Sequence, residues 1–324
     1  MKSDPGRKRA HTIVTSTICI SWGRVYILEQ SVTVCASCQL LARLEARRCL
    51  KDIEPRLFPE DRGPDQGAVV ELFGLEGTGK TELLYHLLCR CVLPEAAGGL
   101  EVDVVFVDTD YSLDMLHLVS ILDSKLTLLA GADEAALRSC LSRLLFVHCY
   151  SSSQLLLTLH FLETTLSSRP ALALILIDSI SAFYWVDRCE GGASYTKQEE
   201  KLSRCVELLG RLLRDYRITV FATCHAIRRP GVPSSSSDSE RSYLCRSWQR
   251  LVTHRLLCSR QEPGNNMAAE GGHDQEQRRQ QIFTVHCTTF SSRVKVSWSS
   301  SFCVTEAGVE FLSASEENKC AARQ

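Results

Sequence analysis

Eight consecutive residues, Gly74, Leu75, Glu76, Gly77, Thr78, Gly79, Lys80 and Thr81, carry the ingredients of a phosphate cradle. Glycines let main-chain N–H groups come close to an anion, a lysine ammonium can reach the outer phosphates, and a threonine hydroxyl suits a magnesium ion. The run fits the phosphate-loop pattern without a mismatch. It follows the apolar run VVELF (69–73) and opens TELLYHLLCRCVL (81–93), whose apolar spacing predicts a helix ending at Pro94. A strand, a glycine-rich turn and a helix N-terminus together direct N–H groups and a positive dipole end at one point. ATP and Mg²⁺ are therefore the predicted cofactors. The second element such chemistry needs is an acid closing a hydrophobic strand, to orient the metal. Asp178, at the end of ALALILID, fills that place; its ordinary alternative is to cap a following helix. Asp108 and Asp110, ending VDVVFVDTD, form a second carboxylate pair in the same layer and are expected to face the same crevice.

The runs VVELF, VDVVFVD (102–108), RLLFVHCY (143–150), ALALILID (171–178) and ITVFATC (218–224) are near-continuously apolar and alternate with helical patterns. Strands of that kind belong to a parallel sheet covered on both faces, so the predicted fold class is a doubly wound, mainly parallel α/β domain. Beyond His225 the pattern changes. RRPGVPSSSSDSERS reads as a solvated loop, and WQRLVTHRLLCSR, QIFTVHC, SRVKVSW and FCVTEAGVEFL read as shorter strands forming an antiparallel extension, with a polar insertion near 261–280. Ahead of the core, Leu41, Leu44 and Leu50 predict a helix stopping before Pro55, and EDRGPDQG marks a linker. The resulting division is a leader at 1–39 with no assigned chemistry, an N-terminal helix and linker at 40–66, and the core at 67–324.

With 324 residues, 44% hydrophobic and 23% charged, the chain has globular composition, which excludes a disordered or fibrous protein. Its 37 basic and 38 acidic side chains give a formal charge of -1, so nucleic-acid contact must be local or shared with partners. The 16 cysteines sit mostly in apolar runs such as CRCVL, which predicts reduced core residues of an intracellular protein rather than a disulfide framework. Cys35 and Cys38 have the spacing of half a zinc site, but no second pair follows at a plausible distance. The cluster Lys2, Arg7, Lys8, Arg9 imitates the start of a signal peptide, yet the stretch after it is broken by Ser16, Ser21, Gly23 and Arg24. No segment approaches the roughly eighteen apolar residues that a membrane span requires.

Several segments in order, GPDQGAVVELFGLEGTGKTELLYHLL, FVDTDYSLD, DSISAFY and the closing FCVTEAGVEF, resemble the RecA-type recombinase core, and among its members the eukaryotic recombinase paralogues. The resemblance runs from about residue 40 to the end. It implies a RecA-like P-loop NTPase core that binds ATP through Gly74–Thr81 and acts in the nucleus in homologous recombination repair of double-strand breaks. It also implies a heteromeric complex assisting the main recombinase. The D paralogue is the expected direct neighbour, the B and C paralogues lie further along, and single-stranded or branched DNA is contacted through the complex.

Departures from the family pattern shape the expected activity. Where active recombinases carry a water-activating Glu, this chain has Asp110, one methylene shorter and so with less reach. Where the family has an Asn-Gln pair sensing the γ-phosphate, it has Cys224 and His225; His225 either hydrogen-bonds phosphate or is a solvent-facing strand-end histidine. The two loops matching the family's DNA loops, 186–197 and 226–242, are nearly neutral or serine-rich. They lack the basic groove with stacking aromatics that single strands need. Tyr184 and Trp185 read as core. Residues 41–57 are too short for the family's helical N-terminal domain and read as an arm docking on a neighbour. The expectation is an ATP-holding subunit with weak or no hydrolysis, set against a DNA-dependent ATPase that itself drives strand pairing. A small-molecule kinase would need a lid and acceptor pocket that no segment supplies.

Overall fold

The computed structural model describes residues 47–58, 63–130, 134–192, 194–227, 243–261, 281–290 and 295–312, and two strands nearer the N-terminus. Those two, β1 (Ile13–Ser21) and β2 (Arg24–Val32), form an antiparallel hairpin within the leader. The Cys35 and Cys38 pair, the basic cluster at the N-terminus, the predicted helix from 41 to 46 and most of the polar insertion lie outside the described residues.

The core is one sheet of nine strands. Six are parallel: β3 (Val69–Gly74), β4 (Asp103–Asp108), β5 (Leu144–His148), β6 (Leu172–Asp178), β7 (Thr219–His225) and β8 (His254–Arg260). The sheet continues antiparallel through β9 (Ile282–Phe290), β10 (Lys295–Thr305) and β11 (Gly308–Phe311), giving the order β11-β10-β9-β8-β3-β7-β6-β4-β5. Alternation along the apolar runs serves two cores. Val70, Leu72, Phe106, Leu174, Leu176 and Phe221 face α1 (Lys80–Val92) and α2 (Met115–Ala130). Val69, Phe73, Val105, Ile175, Ile177 and Val220 face α4 (Ser152–Ser168) and α6 (Tyr195–Tyr216). Three short helices, α3 (Glu134–Ser142), α5 (Tyr184–Glu190) and α7 (Arg246–Leu251), complete the connections. No described helix is long and apolar enough to cross a membrane. Among the described residues the cysteines are free thiols, buried except for Cys49 and Cys189; burial pushes the Cys89 thiol up to about 12.

Three elements differ from expectation. WQRLVTHRLLCSR is a helical turn, α7, followed by β8, because burying Trp248 decides the local structure. Its indole N–H donates to Glu71 Oε1 at 2.6 Å, and Glu71 is itself fully buried on β3. SRVKVSW and FCVT join into the single strand β10, paired with β9 straight through the serines at 299–301. Residues 47–58 are a chain of turns rather than a helix. Leu50, Ile53, Leu57 and Phe58 are buried in the same core as α1, so the described part of this segment packs on its own domain.

That docking includes a buried carboxyl–imidazole contact: Glu54 Oε2 lies 2.5 Å from His86 Nε2 of α1, and the Arg56 N–H donates to Glu54 Oε1 at 3.0 Å. Burial alone would raise the Glu54 carboxyl. The hydrogen bond and charge of His86, the Arg56 N–H and the charge of Arg90 outweigh it and hold the group below its ordinary 4.5. A depressed folded-state value stabilises the fold above the unfolded value, and that stability disappears as pH falls through the folded one. Stability is therefore expected to drop as pH falls below about 4.5, and Glu54→Gln should flatten that dependence while costing about 1–2 kcal/mol at neutral pH. Urea titrations at a series of pH values test this; parallel pH slopes for the two proteins would show that the pair does not carry the effect.

Candidate nucleotide-binding site

The loop between β3 and α1 is held open to solvent above and closed from below. Gly77 and Gly79 take φ of 69° and 80°, the left-handed region that glycine adopts without strain. Gly79 is constrained a second way, since a Cβ there would stand 2.9 Å from Phe302 Cζ. Phe302 and Phe283 stack with ring centroids 5.2 Å apart, so the antiparallel strands form the floor of the loop.

Lys80 starts α1 and is buried. Its ammonium donates to the carbonyls of Leu75 (2.6 Å) and Gly74 (3.1 Å), folded back on its own loop. Burial pushes that ammonium below its ordinary 10.5, a penalty that an anion seated in the loop would relieve. The next residue reaches across the sheet: Thr81 Oγ1 donates to Asp178 Oδ2 at 2.8 Å. Ser112 Oγ donates to the same oxygen at 2.7 Å, and Thr223 Oγ1 donates to Asp178 Oδ1. Asp178 thus stands among three hydroxyl donors at the end of β6, an oxygen site suited to a hard cation. Among the described residues no group of three His, Cys, Asp or Glu side chains is placed to hold a metal ion. A cation here would take most of its oxygens from elsewhere, which fits magnesium, an ion that keeps waters and shares phosphate oxygens. Residues and cofactor agree in chemistry.

Asp110 and His225 complete the cleft. His225, the last residue of β7, is in register with Gly74, and the following Ala226 N–H donates to the Gly74 carbonyl at 2.9 Å. Its Nε2 lies 2.8 Å from Asp110 Oδ2. The site lies in an open cleft of about 640 Å³ lined by Glu76–Glu82, Asp110, Ser112, Asp178 and His225. The sequence-predicted residues are therefore brought together, with one correction. Asp108 does not face the cleft: it is buried, accepts from the Ser112 and Leu113 N–H groups, and sits 3.3 Å from His148 Nδ1 of β5. Adjacent β4 residues point to opposite sides, and the chain must leave the strand before a carboxylate can turn inward. Burial raises the Asp108 carboxyl above its ordinary 3.8, against the pull of those N–H groups and His148.

Sequence reasoning missed Ser112 and Thr223. The available signal for Thr223 was a hydroxyl in an otherwise apolar strand: β6 and β7 pair Ile177 with Ala222, which places Thr223 beside Asp178. Much of the stretch read as the first DNA loop is helical, in α5 and the start of α6, and 228–242 lies outside the described residues. Trp185, expected in the core, is 58% exposed. The helix α5 turns it outward while Asp187 points inward, where it accepts from Ser152 Oγ and lies 3.3 Å from Lys201 Nζ.

Comparison with known proteins agrees with this architecture. The family model described as Rad51 matches residues 61–243. The DNA repair protein XRCC2 of Mus musculus is 44% identical over 284 residues, covering 84% of this chain and 95% of the relative. The DNA repair protein RAD51 homolog 4 of Bos taurus is 28% identical, covering 61% of this chain and 56% of the relative. The Homo sapiens meiotic recombination protein DMC1/LIM15 homolog is 27% identical, over 52% and 47% respectively. Matched over more than half its length by the family model, and sharing nearly the whole of a relative at 44% identity, the chain belongs to the Rad51 family, as a RecA-type recombinase paralogue similar to XRCC2.

Proposed function

We propose that the chain holds Mg²⁺-ATP at Gly74–Thr81 and Asp178 and serves homologous recombination repair of double-strand breaks in the nucleus, as a subunit of a recombinase-paralogue complex. The observation that carries the nucleotide reading is the contact between the Thr81 hydroxyl and Asp178 immediately beside the loop. In this reading loop N–H groups and Lys80 bind and orient the phosphates, Thr81 and Asp178 hold the metal, and the metal supplies charge neutralisation. The likeness to DNA repair relatives supports the repair role and partnership with other recombinase paralogues; the neighbours proposed are a D paralogue directly beside the chain and B and C paralogues further along. DNA is met through the assembly. A thermal unfolding series tests the nucleotide step: Mg²⁺-ATP should raise the midpoint and Mg²⁺ alone should not.

Hydrolysis by the isolated chain is weak in this reading, because the carboxylate available to activate water is that of Asp110, short and engaged by His225. Asp110→Glu should raise phosphate release about tenfold if reach is the main defect. An unchanged rate in a steady-state phosphate assay would place the defect at Cys224 and His225 instead. The intact phosphate loop and Asp178 in the cleft favour the one rival reading, a DNA-dependent ATPase that itself drives strand pairing, and Asp110 and His225 stand against it.

A further inference from the structure

His225 is held on three sides. Its main-chain N–H donates to Ser181 Oγ at 3.1 Å, its carbonyl accepts from the Tyr243 hydroxyl at 2.5 Å, and its imidazole meets Asp110. Tyr243 is buried, and its ring packs edge-on against Tyr184 with centroids 4.5 Å apart. Its oxygen also lies 3.3 Å from Cys224 Sγ, so it grips both residues that end β7. Desolvation pushes this phenol far above its ordinary 10, which keeps the hydroxyl a donor throughout the range where the protein is folded.

The consequence follows from register. Because His225 pairs with Gly74, any shift of its main chain moves the imidazole relative to the phosphate loop. The imidazole also occupies Asp110 Oδ2 by its contact at 2.8 Å, and Asp110 is an acid that lines the cleft and would otherwise face an incoming anion unpartnered. A nucleoside triphosphate carries more negative charge than a diphosphate and suffers more from an unpaired Asp110. Lys80, Thr81 and the loop N–H groups serve both nucleotides alike.

The geometry points to Tyr243 as a positioning residue: its hydroxyl fixes the His225 main chain so that the imidazole covers Asp110, and this sets the preference for nucleoside triphosphate over diphosphate. The inference rests on the nucleotide-binding reading above and deepens it by naming what selects between nucleotides.

The test is isothermal titration of the full chain with Mg²⁺-ATP and, separately, Mg²⁺-ADP. Tyr243→Phe keeps the ring against Tyr184 and removes only the hydroxyl. It is expected to weaken ATP about five- to tenfold while leaving ADP within about twofold, the scale of one charge-linked hydrogen bond. His225→Ala should produce the same selective loss, and the double variant should lose no more than either single one, since both act through one imidazole. Equal weakening of ATP and ADP would assign Tyr243 a purely structural role and overturn the inference. So would losses that add in the double variant, or an ATP affinity that does not change. A parent protein that binds neither nucleotide would instead overturn the nucleotide-binding reading itself.

Discussion

Lys80→Ala is expected to weaken Mg²⁺-ATP binding by about a hundredfold or more, and to abolish the thermal stabilisation that the nucleotide gives. The loop offers main-chain N–H groups and one full positive charge, and that charge is already desolvated before a nucleotide arrives. Without an anion the ammonium is satisfied by the carbonyls of Gly74 and Leu75. An arriving phosphate exchanges neutral acceptors for charged ones, which are roughly twice as strong as partners. A hundredfold loss corresponds to about 2.7 kcal/mol, within the range of a charged hydrogen bond removed from a buried site. Without nucleotide the variant should be no less stable than the parent by more than about 1 kcal/mol, because a buried cation leaves together with its desolvation penalty. Equilibrium binding with a fluorescent ATP analogue, read beside nucleotide-free unfolding, separates the two effects. Unchanged affinity would remove Lys80 from the site. Association with a paralogue partner should survive the substitution; its loss would make the nucleotide a structural requirement of the complex.

The second large effect lies far from the cleft. Arg47 is buried, and its guanidinium donates to five main-chain carbonyls: Leu166 (2.5 Å), Leu172 (2.7 Å), Arg169 (2.8 Å), Tyr216 (2.9 Å) and Pro170 (3.1 Å). Several of these belong to the C-terminal ends of α4 and α6, where carbonyls lack helical partners and the dipole is negative. The same guanidinium lies over the Tyr216 ring at 5.6 Å. One side chain therefore ties the N-terminal segment to both helix ends. Arg47→Ala should destabilise the fold by about 3–5 kcal/mol, since it leaves buried carbonyls without a donor. For a domain of this size that lowers the unfolding midpoint by about 10 °C. Arg47→Lys should recover part of the loss, because an ammonium keeps the charge but cannot span five acceptors. Chemical denaturation measures both, and a loss below about 1 kcal/mol for the alanine variant would mean that Arg47 does not hold the helix ends.

These two residues mark where reading the chain succeeds and where it stops. Lys80 was legible because a phosphate loop is local: the chemistry and the turn that shapes it lie within the same few residues, and the flanking strand and helix have their own periodicities. The parallel strands were legible for the same reason, each being a buried apolar run. Arg47 carries no such signal, because its five acceptors lie more than a hundred residues away and no pattern around it announces burial. Trp248 likewise belongs to a helix only because Glu71 waits on β3. The pairing of Asp110 with His225, and the grip of Tyr243 behind it, depend on strand order, and the sequence alone does not supply that order. Local chemistry is written in order along the chain, whereas the partners that tune it are brought together by topology.

The most direct test of a nucleotide-holding, weakly hydrolysing paralogue combines two readings on the purified full-length chain. These are equilibrium binding of Mg²⁺-ATP and steady-state phosphate release, each with and without single-stranded DNA and with Lys80→Ala alongside. The result expected is magnesium- and Lys80-dependent binding, with little turnover that DNA leaves unstimulated. Turnover by the chain alone that depends on Lys80 and rises with DNA would contradict it and establish the ATPase reading.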